Sequence, residues 1–130
     1  MAAPNIKSGS SVTTVTGKTV GYAVTTSMAA ALSNAGSSGK VLKVNSVYCA
    51  NVDGTNAADI SLEHYNGTTG FAIGKTITVP PDATQVLVTR EAYIYLEEGH
   101  SLRAQASAAS DLELVISYED ISCCWASTVA

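Results

Sequence analysis

The sequence predicts an all-β domain: an antiparallel β-sandwich, jelly-roll-like, with about eight to ten short strands. Three observations carry that expectation. Apolar residues recur with a period of two in segment after segment. Turn chemistry built on Gly, Pro, Asn and Asp separates these segments at a spacing of roughly 8–12 residues. No stretch keeps an amphipathic helical period, and no strand–helix alternation is visible, which disfavours an α/β fold.

The 130 residues are the size of one domain. Residues 1–10, with Pro4 and Gly9 among serines, read as a flexible arm. Residues 11–122 carry the sandwich, and 123–130 form a C-terminal tail.

The elements follow in order. Val12 to Thr16 and Lys18 to Thr26 are expected to pair around Gly17. Met28 to Leu32 suits either one helical turn capped by Ser27 or a strand. In the run Val41 to Val52, Leu42 and Val44 share a face with Val47 and Cys49 three residues on, which places a bulge at Asn45-Ser46. Asp53-Gly54-Thr55-Asn56 closes that strand. Ile60, Leu62 and His64 alternate with Ser61, Glu63 and Tyr65, and Asn66-Gly67-Thr68-Thr69-Gly70 then gives the strongest hairpin signal in the chain.

Phe71, Ile73, Ile77 and Val79 share one parity, with a kink or bulge at Gly74-Lys75. Pro80-Pro81-Asp82 ends that strand, because proline cannot donate to a ladder. Val86 to Val88 form a short strand, and Ile94 and Leu96 form another with Tyr93 and Tyr95 on its opposite face. Glu97-Glu98-Gly99-His100 is a polar turn in which His100 is expected to be solvated. Leu102, Ala104, Ala106 and Ala108 share a face, and the small residues predict a close approach of the other layer. Ala109-Ser110-Asp111 is short enough for a hairpin into Leu112, Leu114, Ile116 and Tyr118. Their alternate neighbours Glu113, Ser117 and Glu119 are polar, and Val115 is the exception.

Composition narrows the function. Hydrophobic residues make up 46% and charged residues 14%, with a net charge of −4. The seven cationic residues are scattered, whereas binding to phosphate backbones needs them clustered, so direct nucleic-acid binding is not expected. No apolar run approaches the ~20 residues that span a bilayer. The first residues lack a charged start followed by an apolar stretch, so the chain is expected to be made in a cytoplasm and to need no secretory leader.

The chemistry-bearing residues are few. His64 and His100 fit no triad pattern, and no His-x-His pair supports a cupin metal site. Asp53, Asn56 and Asp59 lack the offsets of a calcium loop and read as turn chemistry. No phosphate-cradling glycine motif occurs. The expectation is a non-enzyme with no cofactor, no metal and no catalytic residue. Three cysteines make no disulfide framework: Cys49 reads as a buried small hydrophobe, while Cys123 and Cys124 are adjacent. The candidate interface residues are Tyr93, Tyr95, Cys123, Cys124 and Trp125, aromatic or soft side chains with little reason to be exposed on a lone domain.

The ordered set Val47-Tyr48-Cys49-Ala50-Asn51-Val52-Asp53-Gly54-Thr55-Asn56-Ala57-Ala58-Asp59-Ile60, then Ile94-Tyr95-Leu96-Glu97-Glu98-Gly99, then Ala106 to Glu113 and Ser117 to Ile121, resembles small virion structural proteins of tailed bacteriophages, especially marine and cyanobacterial phages. The resemblance covers roughly residues 40–122 and leaves the Cys123-Cys124-Trp125 tail outside. It implies a non-enzymatic particle component, assembled in the host cytoplasm and located in the virion. The function expected is a capsid decoration (cement) protein bound to the major capsid shell as a symmetric homo-oligomer, a trimer in the first instance. The alternatives are a neck, tail or fibre component, or a carbohydrate-binding module stacking sugar on Tyr93, Tyr95 or Trp125.

Overall fold

Nine β-strands run through residues 12–123, the part of the chain that the computed structural model describes. They are β1 (Val12–Ala23), β2 (Ala29–Ser33), β3 (Lys40–Asn51), β4 (Ala58–Tyr65), β5 (Gly70–Val79), β6 (Thr84–Val88), β7 (Ile94–Leu96), β8 (Ser101–Ala106) and β9 (Leu112–Cys123). One sheet has the order β1-β9-β3-β6, with β7 also on β3, and the other has the order β2-β8-β4-β5. Every pairing is antiparallel. The chain changes sheet at most connections, and β4–β5 is the one hairpin joining sequential strands of the four-stranded sheet. Two antiparallel sheets woven together in this way form a β-sandwich.

Alternation drives the layering. Leu112, Leu114 and Ile116 of β9 are fully buried while Glu113 and Val115 between them are exposed. Ile60 and Leu62 of β4 and Leu102 and Ala104 of β8 meet them from the opposite sheet, in one continuous core with Val44, Val47 and Cys49 of β3. The small side chains of Ala104 and Ala106 are buried there, as expected of a close approach between layers. The bulge predicted in β3 is present: the register against β9 shifts between Val44 and Ser46, which returns Val47 and Cys49 to the inner face.

Two buried asparagines close the ends of the core. Asn51, the last residue of β3, donates through Nδ2 to the carbonyls of Asn56 and Val79, both at 2.9 Å, and accepts the amide of Asp53. Asn34, just past β2, donates through Nδ2 to the carbonyls of Lys40 and Leu96, both at 2.9 Å, and accepts the Ser38 hydroxyl. Each amide side chain satisfies one buried strand-end carbonyl, Val79 or Leu96, and one part-buried carbonyl, Asn56 or Lys40.

Several expectations are corrected. Val12 to Thr26 is not a hairpin around Gly17: one uninterrupted strand pairs with β9 through that glycine. The reason is β9, which offers a ladder of matching length. Met28 to Leu32 resolves as a strand, because Ala29 to Ser33 finds β8 as a partner. Ala109-Ser110-Asp111 does not make a hairpin either. β8 ends on β4, where the Ser107 amide donates to the Asp59 carbonyl at 3.0 Å, and β9 begins in the other sheet, where the Val52 amide donates to the Asp111 carbonyl at 2.7 Å. The apolar faces of β8 and β9 look at each other across the core, so the connection must cross it. The strands are not uniformly short: β1, β3 and β9 have 12 residues each. Phe71 keeps its core parity, since it pairs with His64, yet stands 56% exposed because it lies at the hairpin end of the edge strand β5.

Candidate interface on the outer face of the five-stranded sheet

The antiparallel register lays the outward side chains of this sheet in rows. Gly21 of β1, Val115 of β9, Tyr48 of β3 and Val86 of β6 are successive cross-strand partners. Val115, Tyr48 and Val86 are 42%, 42% and 44% exposed. They form an apolar band running across the sheet, and sheet faces turned to water are ordinarily polar. The next outward row on one side is Ala23, Glu113, Ala50 and Thr84. On the other side, past Thr19, Ser117 and Ser46, comes Gly17, Glu119, Lys43 and Tyr95. The band is therefore rimmed by polar and small residues, as a docking patch is.

The bulge shapes the surface beside the band. Asn45 and Ser46 stand where the ladder is interrupted, and an open concavity of about 450 Å³ there is bounded by Tyr48, Val86, Arg90 and Glu119. Asn45 Nδ2 donates to Glu119 at 3.4 Å, a long contact, and its Oδ1 is buried without a partner. The concavity offers an aromatic ring, one cation, one carboxylate and several hydroxyls.

Of the residues singled out in the sequence, Tyr93 and Tyr95 lie together at the end of this face. Their rings meet edge to face at 5.3 Å, and Lys43 Nζ sits 4.5 Å from the Tyr93 ring centre. Tyr93 is exposed and Tyr95 half-buried, and burial followed by the neighbouring Tyr93 raises the Tyr95 phenol above its ordinary value. Cys123 is the last residue of β9, and Cys124 and Trp125 lie outside the described residues, as does the arm over 1–10. The tail expected over 123–130 therefore begins inside a strand. Cys49 is buried in the core, and burial pushes its thiol up to about 11.

The band itself was not among the predicted site residues. Its signal was the apolar Val115 at a polar-parity position of β9. Tyr48 and Val86 carried no signal, since only the pairing register brings them beside it.

His100 corrects the sequence reading more sharply. It is half-buried, not solvated, and its Nδ1 lies 3.1 Å from His64 Nε2. The rings meet at 61° with centres 5.0 Å apart. Burial, then the His100 charge, lowers the His64 imidazole below its ordinary value, opposed by Glu97. The pair sits where the β4–β5 hairpin meets the β7–β8 turn. Gly67 and Gly99 both take positive φ there, and a Cβ on Gly67 would stand 3.2 Å from the Gly99 carbonyl oxygen. Asp53 behaves as turn chemistry: it accepts the Thr55 amide and the Asn56 side chain, which hold its carboxyl below the usual range. Asp59 is spent elsewhere, accepting the Thr78 hydroxyl. No group of three metal-ligating side chains is gathered among the described residues. No helix among them is long and apolar enough to cross a membrane.

No protein-family model matches the chain, and no curated protein matches it. A solved structure shares the fold: a chain described in the work "Bacillus endospore appendages form a novel family of disulfide-linked pili" superposes with a TM-score of 0.52 at 14% identity, over 85% of this chain and 88% of that one. At that identity the likeness is one of fold, an all-β sandwich.

Proposed function

We propose that this domain is a non-enzymatic structural subunit that docks on other proteins of a larger assembly, in the first instance a decoration (cement) protein on the major capsid shell of a tailed phage. The observation that carries the reading is the band of Val115, Tyr48 and Val86, exposed on a weakly charged sheet face with a polar rim. An apolar row of this kind is a liability on a protein that acts alone and is useful where many modest contacts repeat by symmetry. The phage-type resemblance of residues 40–122 supplies the particle.

A neck, tail or fibre subunit is the second reading. The sandwich shared with a chain from disulfide-linked pili favours it, since that fold serves there in a polymer. A carbohydrate-binding module is less favoured. Tyr93 and Tyr95 pack edge to face and Lys43 lies over one of them, which leaves no open aromatic platform at that place.

The test is cryo-electron microscopy of the particle that contains the protein, with copies counted by quantitative mass spectrometry. Symmetric sites over the whole shell support decoration. A few copies at one vertex move the protein to the neck or tail. Binding of the isolated chain on a glycan array supports the carbohydrate reading instead.

A further inference from the structure

The four sheet edges are not alike. β2 has five residues and a register shift. On the far side of β3, β6 and β7 divide the edge into pieces of five and three residues. β5 is longer, but two register shifts bend it, Thr76 takes a φ of 49° and Lys75 stands exposed beside it. Short length, bulges and an exposed lysine are the devices that keep edges from pairing with other chains.

β1 is the least guarded: its one register shift lies at its start, between Val12 and Thr14, and its one lysine is paired. It is 12 residues long, contains no proline, and pairs with β9 without a shift from Thr14 to Ala23. No strand covers its other side among the described residues. Its single charge, Lys18, does not guard the edge, because its ammonium is drawn back over β9 to Asp120 at 3.0 Å. The residues from Thr14 to Thr19 are exposed whichever face they point to, so this half of the strand is held mainly by its ladder. Gly17 and Gly21 weaken a strand, and neither has a reason within the chain. Neither is at positive φ, a Cβ on Gly17 would meet nothing within 4 Å, and one on Gly21 would meet only the Leu114 carbonyl oxygen at 4.0 Å.

We propose that the open edge of β1 pairs with β1 of a second copy of this chain, antiparallel across a twofold axis, so that two five-stranded sheets become one continuous sheet. The partner edge must be long, free of bulges and nearly uncharged, and β1 itself meets each requirement from Thr14 to Ala23. A twofold axis brings the two copies of Lys18 towards each other, and the Asp120 carboxylate beside each ammonium removes the repulsion that bare charges would impose. The missing side chains of Gly17 and Gly21 leave room for the neighbour's outward side chains. A twofold contact gives a dimer, in place of the trimer expected of a capsid decoration protein.

The proposal rests on reading the domain as an assembly subunit, but it is tested on the isolated full chain. Sedimentation velocity is run on the natural protein, on V15K/T19K, on V15E/T19E and on an equal mixture of the two variants. The expected result is a dimer for the natural chain, at least tenfold weaker association for each charged variant alone, and recovery of the dimer in the mixture. Far-UV circular dichroism confirms that the variants fold. Hydrogen exchange of the natural chain supplies a second readout, with amides of Thr14 to Thr19 gaining protection as concentration rises.

A natural chain that stays monomeric at its highest soluble concentration overturns the proposal. So does a trimer, or a dimer indifferent to both charged variants. A monomer that still decorates its particle removes the β1 contact and leaves the function standing, and a β1 dimer absent from any particle does the reverse.

Discussion

Tyr48 of β3 and Val115 of β9 are direct partners across the antiparallel ladder, and both stand out from the molecule while their sequence neighbours Cys49 and Leu114 are fully buried. The same two strands thus build the core with one face and an apolar surface with the other. The second face is the part of the fold that packing within the domain does not explain.

Removing that surface separates stability from assembly. The variant Y48S/V115T loses exposed apolar area and no core contact. Its unfolding free energy is expected to change by about 1 kcal/mol or less. Its attachment to the particle, read by co-sedimentation, is expected to fall at least tenfold. Undiminished attachment would place the docking surface elsewhere.

The two asparagine clasps are structural. Asn51→Ala leaves the carbonyls of Asn56 and Val79 without the side-chain donor, and Asn34→Ala does the same at Lys40 and Leu96. Each substitution is expected to cost about 1–3 kcal/mol in urea unfolding, because the buried carbonyl left unpaired, Val79 or Leu96, carries its full desolvation cost. Asn56→Ala is the control: its exposed side chain makes one long hydrogen bond to Asp53 at 3.3 Å, and little change is expected.

His64 makes stability depend on pH. Burial and His100 hold the folded imidazole of His64 below its ordinary 6.5. Between the folded value and 6.5 the unfolded chain therefore binds the proton and the folded chain does not. Stability is expected to be complete above 6.5, to fall as the pH drops below it, and to level off once the folded imidazole is also protonated. Thermal melts of the natural chain and of His64→Gln from pH 5 to 8 check this, with a shallower slope expected in the variant.

Cys49 is expected to be inert in the folded protein. In C123S/C124S it is the one remaining thiol, with its ionisation pushed up to about 11 by the core around it. A thiol-specific chromogenic reagent should react with less than a tenth of the protein in buffer and with one equivalent in denaturant. Rapid labelling in buffer would mean that β3 opens far more often than its burial implies.

How much of this was legible in the sequence varies by element. The β4–β5 hairpin and the β3 bulge were, because Asn66-Gly67 and the three-residue slip from Val44 to Val47 are local signals with local causes. The inward face of β9 was, because Leu112, Leu114 and Ile116 alternate with exposed neighbours. The β8–β9 connection was misread, since a three-residue link suits a hairpin and a crossing equally when judged by length. The fate of Met28 to Leu32 was open for a similar reason: five residues with no partner in view have no determinate structure.

The candidate site divides in the same way. Tyr93 and Tyr95 could be named because consecutive alternation puts both on one face. The row from Gly21 through Val115 and Tyr48 to Val86 could not, because its members are joined only by register. The pairing of His64 with His100 joins residues 36 apart at the meeting of two turns.

The class of the fold, the apolar face of most strands and the places where the chain turns can be read from local pattern, since a period of two and turn chemistry act between neighbours in the chain. Which strands lie side by side, which edge stays open and which exposed residues share a surface follow from pairing between distant segments. Those outcomes depend on hydrogen-bonded ladders between distant segments, and a ladder is satisfied by backbone groups that every residue other than proline carries alike.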